Sequence, residues 1–204
     1  MLSISIVRRL PILRRNSIIL VCLVLLLGVV LFVGWRWQDQ RDFINNSEVY
    51  EDTTNGFTFR YPVTWDFIAQ DNDLAIRNEK FTVGVSVVGE PSTAVGVIVR
   101  AHSTQEVIDE RQLLEDIQQQ LTTQFTDYQL LKSKTKRFDT YTVLDIEYTQ
   151  KHADKSYVHQ RQRIFVTDKN VYIISGSSLL VNYPQRNKDL NHILDSFTLL
   201  EGPR

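Results

Sequence analysis

The chain has 204 residues, with 23 lysines and arginines against 24 aspartates and glutamates, and its formal net charge at pH 7 is −1. The near-neutral balance of the whole chain argues neither for nucleic-acid binding nor for an acidic partner, and no nucleic-acid partner is expected. Cys22 is the single cysteine, which excludes an internal disulfide and a cysteine-rich zinc site.

The N-terminal part of the chain has the pattern of a membrane-spanning segment. Residues 18–35 are apolar apart from two glycines and carry no charge, a length near the lower limit for a transmembrane helix. Arginines precede this run but are mixed with aspartates after it, so the positive-inside rule predicts a cytoplasmic N-terminus. We therefore predict a basic cytoplasmic tail over residues 1–16 and a signal-anchor helix over residues 17–37, which contacts the lipid bilayer through residues 18–35.

A cleaved signal peptide is the competing interpretation of this run. The apolar core of a usual signal peptide is shorter, at roughly 7–15 residues. The segment Trp35-Arg36-Trp37 at the end of the run also lacks the small side chains of a cleavage site. Both features favour an anchor that is retained. The rest of the chain is then expected on the extracytoplasmic side, in a periplasm, a thylakoid lumen or the cell exterior.

The folded domain is expected over residues 55–200, after a polar linker over residues 38–54. Its opening stretch alternates aromatic with polar side chains over residues 57–61, which is typical of a strand with one buried face. The characteristic residues of this stretch are Gly56 at the tight entry, Phe57 and Tyr61 on the buried face, Pro62 at the strand end, and Trp65 in the next apolar run.

Two or three strands and a helix are predicted next. Residues 74–77 could form a short strand, residues 81–88 form a firmer one, and residues 95–100 continue as a further strand or an extended segment. A leucine and isoleucine stripe at helical spacing then predicts a helix over residues 113–125. Two capping pairs are possible at its start: Ser103 with Glu106, or Asp109 with Gln112.

A meander of three strands is predicted over residues 128–137, 141–149 and 157–166. The central strand carries Asp145 and Glu147 on one face, and both neighbouring strands carry basic residues in matching positions. The basic residues are Lys132, Lys134 and Lys136 on the first strand, with Leu130 expected on the same side, and Arg161 and Arg163 on the third.

This charged face has two interpretations. Opposite charges across antiparallel pairs stabilise a sheet by roughly 0.2–1 kcal/mol per pair, so the face could be a solvated ladder of salt bridges. The second interpretation, a docking surface for an acidic partner, rests on the excess of basic over acidic residues on this face. The five lysines and arginines are therefore the candidate binding residues.

The C-terminal part predicts a central strand over residues 171–176, because that run is almost continuously apolar. A last helix begins near Pro184, a favoured first helical residue, and its buried stripe ends at Phe197. Strands joined mainly by hairpins and flanked by two helices indicate the α+β class, with the helices packed around a central antiparallel sheet.

The sequence lacks the motifs of common enzymes: a phosphate-binding glycine loop, a Gly-x-Ser-x-Gly elbow and a His-Glu-x-x-His helix. Asp145 and Glu147 lie two residues apart, but their basic neighbours suit ion pairs better than acid–base catalysis. We therefore expect a protein that is not an enzyme and has no cofactor. The one exception is a divalent-metal site that His152, Asp154 and His159 could form.

Several short segments occur in an order typical of one family. They are Tyr50-Glu51-Asp52, Asn55-Gly56-Phe57-Thr58-Phe59-Arg60-Tyr61-Pro62 and Trp65, then Val85-Ser86-Val87-Val88, Tyr141, Glu147-Tyr148, Arg161-Gln162-Arg163, Val171-Tyr172-Ile173 and Ser196-Phe197. Together they resemble the PsbP family, the extrinsic proteins of photosystem II and their bacterial relatives. The resemblance covers roughly residues 50–200, and the opening motif is its most specific part.

This resemblance implies an α-β-α sandwich with a central antiparallel sheet on the extracytoplasmic or lumenal side of a membrane. It also implies a non-catalytic accessory protein that binds, assembles or stabilises a membrane protein complex, with a photosynthetic complex among the candidates. The alternative is an extracytoplasmic sensor domain that binds a small ligand or a divalent metal in a pocket between the sheet and a helix.

Overall fold

The computed structural model describes residues 11–68, 82–88, 95–103, 109–125, 127–151 and 156–200. The chain divides into two compact units, Met1–Asn45 and Asn46–Arg204. Two predictions lie outside the described residues. They are the strand at residues 74–77 and the capping pair of Ser103 with Glu106, since Glu106 is not described.

The first unit consists, in its described part, of one helix, α1 (Pro11–Asn45). Its segment Val21–Asn45 is long and apolar enough to cross a membrane. The side chains from Val21 to Trp35 are exposed, as Leu25 and Phe32 illustrate. One N-terminal apolar helix is therefore present, and its length and composition suit either a signal anchor or a signal peptide.

The second unit combines short and long strands with two helices. Its described elements are β1 (Ser47–Asp52), β2 (Phe57–Pro62), β3 (Trp65–Phe67), β4 (Val83–Val87), β5 (Val95–Ser103), α2 (Glu110–Gln124), β6 (Gln129–Arg137), β7 (Thr142–Lys151), β8 (Tyr157–Val166), β9 (Asn170–Leu179), α3 (Tyr183–Ser196) and β10 (Thr198–Leu199).

The predicted linker over residues 38–54 differs from the structure. Residues as far as Asn45 continue α1, and β1 pairs antiparallel with β2 from Ser47 opposite Pro62 to Asp52 opposite Phe57. β1 has a polar sequence because it is an edge strand whose side chains are mostly exposed or half-buried. Tyr50 supplies its main apolar contact, with its ring centroid 5.3 Å from that of Phe59.

The strands form two antiparallel sheets. The smaller has the order β1-β2-β10, and the larger has the order β3-β4-β5-β9-β8-β7-β6. β9 lies at the centre of the larger sheet, where its apolar sequence is expected, and β6, β7 and β8 form the predicted meander. Consecutive strands therefore pair as hairpins through most of the larger sheet.

Two apolar cores cover the two faces of the larger sheet. On one face, Leu121 of α2 packs with buried side chains of β7 and β8, including Ile146 and Ile164. On the other face, α3 and the smaller sheet pack against β5 and β9, with Ile193 and Leu194 fully buried. The observed α-β-α sandwich around an antiparallel sheet confirms the predicted fold class.

The two helices begin as their local sequence predicts. Asp109 caps α2 by accepting a hydrogen bond at Oδ1 from the amide of Gln112, with an N–O distance of 3.1 Å. α3 begins at Tyr183, with Pro184 in its first turn. The capping pair that the sequence left open is thus settled in favour of Asp109.

A candidate binding groove on the charged sheet face

The register of β6, β7 and β8 places the charged residues in rows across the sheet. Glu147 lies opposite both Lys132 and Arg161. One step along, Asp145 lies opposite both Lys134 and Arg163. Each row therefore alternates basic, acidic and basic, and the face that carries both rows is the one on which α3 packs.

Asp145 binds both arginines of this face. Its Oδ1 accepts from Nε of Arg161 at 2.9 Å, and its Oδ2 accepts from NH2 of Arg161 at 2.6 Å and of Arg163 at 3.2 Å. The bidentate geometry to Arg161 is the strong form of a guanidinium–carboxylate pair. Burial raises the pKa of Asp145, but the hydrogen bonds and charges of the two arginines outweigh it and hold the pKa below its usual value.

Helix α3 supplies the remaining partners of the arginines. Asp195 accepts from NH2 of Arg163 at 2.6 Å, and the carbonyl oxygen of Leu194 accepts from NH1 of the same arginine at 2.9 Å. Asn191 accepts a hydrogen bond from Arg161. Both guanidinium groups thus tie the sheet to α3, and their donors are largely occupied within the fold.

Glu147 has a different pair of partners. Its Oε1 accepts from Nε2 of His159 at 3.1 Å and from the hydroxyl of Tyr183 at 3.2 Å. The His159 ring also stacks on Tyr183, with centroids 3.4 Å apart. Burial lowers the pKa of His159 below 6.5 even though the Glu147 carboxylate opposes this shift, so the buried imidazole is neutral at pH 7.

The three lysines of β6 have no comparable partners. All nine residues of β6 are exposed, and no ion pair joins Lys132, Lys134 or Lys136 to another residue in the described part of the chain. Each acidic residue that faces them is already bound to groups on β8 or α3. The lysines therefore leave this edge of the sheet with uncompensated positive charge.

A groove of about 460 Å³ lies beside these lysines. Its charged lining includes Asp145, Asp195 and both arginines, and aromatic rings form much of the rest. The aromatic rings are Phe138, Tyr141, Phe165 and Phe197, which form a chain of contacts with centroid distances of 4.7, 6.0 and 4.9 Å. Phe138 is 49% exposed, so one end of this chain reaches solvent.

The structure thus divides the five predicted basic residues into two groups that line one groove. Arg161 and Arg163 hold α3 against the sheet, whereas the three lysines are free to meet an anionic group. The arrangement can bind a ligand or peptide that combines negative charge with an apolar part. It contains no nucleophile paired with a base among the described residues.

Sequence analysis missed the α3 and aromatic contributions to this groove. Asp195 follows Leu194 on the last helical turn, and nothing in a single sequence assigns it to the arginines of β8. Phe138 and Tyr141 flank the turn between β6 and β7. Two aromatic residues directly after a basic strand are the sequence feature that could have indicated an aromatic groove beside the lysines.

The metal site formed by His152, Asp154 and His159 remains a prediction. His152 and Asp154 lie outside the described residues. His159 is 3% exposed, and its Nε2 binds Glu147. Within the described part of the chain, no group of three or more histidine, cysteine, aspartate or glutamate residues could hold a metal ion.

The characteristic residues of the opening stretch, 56–65, lie in and beside the smaller sheet, on the same side of the larger sheet as α3. Gly56 has a φ of +73°, a left-handed conformation that glycine adopts without steric cost. β2 ends at Pro62, and Phe57, Tyr61 and Trp65 are buried. Phe197 stacks on Phe57 at 5.4 Å and contacts Phe165 at 4.9 Å, so it joins the smaller sheet to the groove.

Comparison with known proteins agrees with this architecture. The family model described as PsbP matches residues 45–199. A search of curated protein sequences found no match. The fold is similar to the solution structure of cyanobacterial PsbP (CyanoP) from Synechocystis sp. PCC 6803, with a TM-score of 0.55 and 12% identity over 76% of this chain and 92% of that one.

A second similar structure is LpqN of Mycobacterium tuberculosis, described as involved in cell envelope biogenesis. Its TM-score is 0.52 and its identity is 10%, over 76% of this chain and 86% of that one. At these identities, both likenesses show a shared fold and nothing about a shared ligand.

Proposed function

Because the chain belongs to the PsbP family, we propose that it is a membrane-anchored, non-catalytic accessory protein. Its folded unit binds a membrane protein complex on the extracytoplasmic side and helps to assemble or stabilise it. A photosynthetic complex is one candidate partner, because the family includes extrinsic proteins of photosystem II. The LpqN likeness leaves other cell-envelope partners equally open, since a fold alone does not fix a role.

The observation that carries the proposal is the uncompensated charge of β6 beside an aromatic groove. Three exposed lysines lie along one strand, and the acidic residues opposite them are committed to other partners. Charged groups at the rim of a contact steer the approach of an oppositely charged partner, and aromatic anchors at its centre supply much of the affinity. The partner surface is therefore acidic, with at least one apolar anchor.

The apolar helix α1 supports the membrane part of the proposal. Arginines precede its apolar run, which favours a cytoplasmic N-terminus and an exported folded unit. Anchoring confines the folded unit to the membrane surface and raises its effective concentration near membrane partners.

Affinity purification tests the proposal. The full chain carries a C-terminal tag, is expressed in its own cells and is solubilised in mild detergent at low salt. A stoichiometric membrane-protein partner is expected to co-purify, and less of it should be recovered with Lys132→Ala/Lys134→Ala/Lys136→Ala. Recovery of the chain alone would contradict the proposal.

A matched control separates this surface from net charge. The triple variant Arg111→Ala/Lys169→Ala/Lys188→Ala also removes three positive charges, all from exposed positions that do not line the groove. It should retain the partner. Equal loss in both variants would point to a general charge effect and not to the groove.

A small-ligand sensor is the second candidate, and the groove volume favours it. At about 460 Å³ the groove falls within the range of small-molecule sites, roughly 300–1,000 Å³. Its lining suits a small anion with an apolar body. The metal version of this candidate, with His152, Asp154 and His159, is tested by thermal unfolding with a panel of divalent metals, where a metal at 100 times its dissociation constant adds about 2.7 kcal/mol.

A further inference from the structure

Strand β6 leaves one side of its backbone open. It forms one edge of the larger sheet, and β3 forms the other. β3 has three residues, whereas β6 has nine and all of them are exposed. In the described part of the chain β6 pairs with β7 alone, so its outer side presents N–H and C=O groups that another strand can use.

The rows of charged residues across β8, β7 and β6 predict the charge of the side chains on a strand that would fit at this edge. Each row alternates in sign from β8 through β7 to β6, as in Arg163, Asp145 and Lys134. Residues directly opposite on paired strands have Cβ atoms about 4.5–5.5 Å apart, where opposite charges attract and like charges repel. The next position in each row therefore suits a carboxylate.

The spacing of the lysines specifies the pattern along that strand. Lys132, Lys134 and Lys136 lie two residues apart on one face, and the register with β7 is regular from Lys132 to Arg137. The irregularity of this strand lies before them, between Leu130 and Lys132. A paired strand with acidic residues at alternate positions would place a carboxylate beside each lysine.

We propose that β6 binds an extended acidic segment of the partner protein as an additional strand of the larger sheet, an inference that rests on the proposed function. Alternate carboxylates of the segment pair with the three lysines. An apolar side chain near the Phe138 end enters the aromatic groove. Backbone hydrogen bonds to the open edge of β6 hold the segment in register.

A second copy of this chain is a poorer occupant of the same edge. Its own β6 carries the same lysines, and pairing the two edges would bring like charges together. Lysines on an edge strand are a known protection against such pairing. The same charges that exclude a second copy attract an acidic segment.

Peptide binding to the full chain in mild detergent tests strand addition. The probe is a labelled peptide of about seven residues, long enough to pair with Lys132–Arg137, with glutamate at alternate positions and a phenylalanine at one end. Fluorescence anisotropy should show saturable binding that weakens with added salt. The triple variant Lys132→Ala/Lys134→Ala/Lys136→Ala should lower the affinity at least about tenfold, and Arg111→Ala/Lys169→Ala/Lys188→Ala should leave it nearly unchanged.

Two methylated forms of the peptide identify the binding mode. Alternate backbone amides of a strand point to opposite sides, so N-methylation of one alternating set should reduce the affinity at least about tenfold. Methylation of the other set should have little effect. Equal binding of both forms would show that charge alone holds the peptide, and absence of binding to the unmodified peptide would equally overturn strand addition.

The outcome separates this inference from the proposed function. A membrane partner that co-purifies through the lysines, together with equal binding of both methylated peptides, would leave the accessory role intact and remove strand addition. Absence of any co-purifying partner would count against the accessory role itself.

Discussion

Asp145 is a half-buried carboxylate that two guanidinium groups share. Arg161 binds it through two nitrogens, and Arg163 adds a third contact at 3.2 Å. A charge taken out of water is tolerated when it is paired, and removal of one partner leaves the others without compensation. Loss of Asp145 would therefore leave Arg161 and Arg163 with uncompensated charge. It would matter less to the lysines of β6, which are exposed to solvent.

Replacement of Asp145 by alanine should destabilise the folded unit. We expect a loss of about 2 kcal/mol, below the ~3–5 kcal/mol of a fully buried pair, because Asp195 still binds Arg163. Asp195→Ala is the matched control, since its side chain is 54% exposed and its loss should cost less than about 1 kcal/mol. Thermal unfolding of the full chain in mild detergent measures both, and equal losses would contradict the prediction.

His159 should make stability depend on pH. Burial holds its pKa in the folded state below 6.5, so below that pH the unfolded chain takes up a proton that the folded chain resists. Stability should therefore fall as the pH decreases through the unfolded value of about 6.5, with a slope from this group of at most about 1.4 kcal/mol per pH unit. His159→Asn should flatten this part of the profile measured by chemical unfolding.

The control for His159 is the exposed histidine of β5. His102→Asn replaces an exposed side chain that lies away from Glu147 and Tyr183, and it should leave the slope of the profile as it is. Two groups contact His159 from neighbouring elements, Glu147 of β7 and Tyr183 of α3. Arg161, on the same strand as His159, acts on it through Glu147. An unchanged slope in His159→Asn would assign the pH dependence elsewhere.

At the scale of elements, β6 shows how one irregularity changes a face. The alternation of its sequence predicts Leu130 on the same side as the lysines. The register shift between Leu130 and Lys132 instead places Leu130 opposite Tyr148, on the α2 face, while the lysines remain on the α3 face. A bulge adds one residue to one strand, and a period-two pattern cannot reveal where that residue is inserted.

The contact between β9 and α3 depends on the absence of a side chain at Gly176. A Cβ atom at this position would lie 2.8 Å from Cδ1 of Leu194 and 3.4 Å from Cδ2 of Leu190. Gly176→Ala should cost about 1–3 kcal/mol, the usual range for overpacking of a core. Thermal unfolding of the full chain measures this loss.

A double-mutant cycle checks that the cost comes from this contact. Leu194→Ala removes the methyl group nearest to the new side chain, at the cost of a cavity. The double variant Gly176→Ala/Leu194→Ala should lose less stability than the sum of the two single variants. Simple additivity would show that Gly176→Ala acts through the backbone and not through α3.

At the scale of the whole molecule, an apolar helix precedes the folded unit in the described part of the chain, and chemical labelling can test the membrane topology directly. In a Cys22→Ser background, Lys169→Cys places one thiol in the exposed turn between β8 and β9. A membrane-impermeant maleimide should label it in intact right-side-out vesicles. Labelling only after permeabilisation would reverse the proposed orientation, and labelled protein of lower mass in the soluble fraction would indicate a cleaved signal peptide.

The sequence by itself determined the period of both helices and most strands of the folded unit, and therefore the fold class. The aromatic alternation of β2, the apolar run of β9 and the stripe of α3 each depend on burial of one face, and burial leaves a local signature. The family resemblance came from short motifs in the same strands. The polar β1 escaped prediction because an edge strand buries too little to leave such a pattern.

Tertiary structure alone decided how the charged residues are used. The spacing of the sequence predicts five basic residues on one face. It does not predict that two of them, Arg161 and Arg163, bind α3 while the three lysines stay free. That division depends on Asp195 and Asn191, which are distant in sequence and reach the arginines only when α3 packs on the sheet. Pairing of charges is set by distance in space, and a period along the chain carries no information about it.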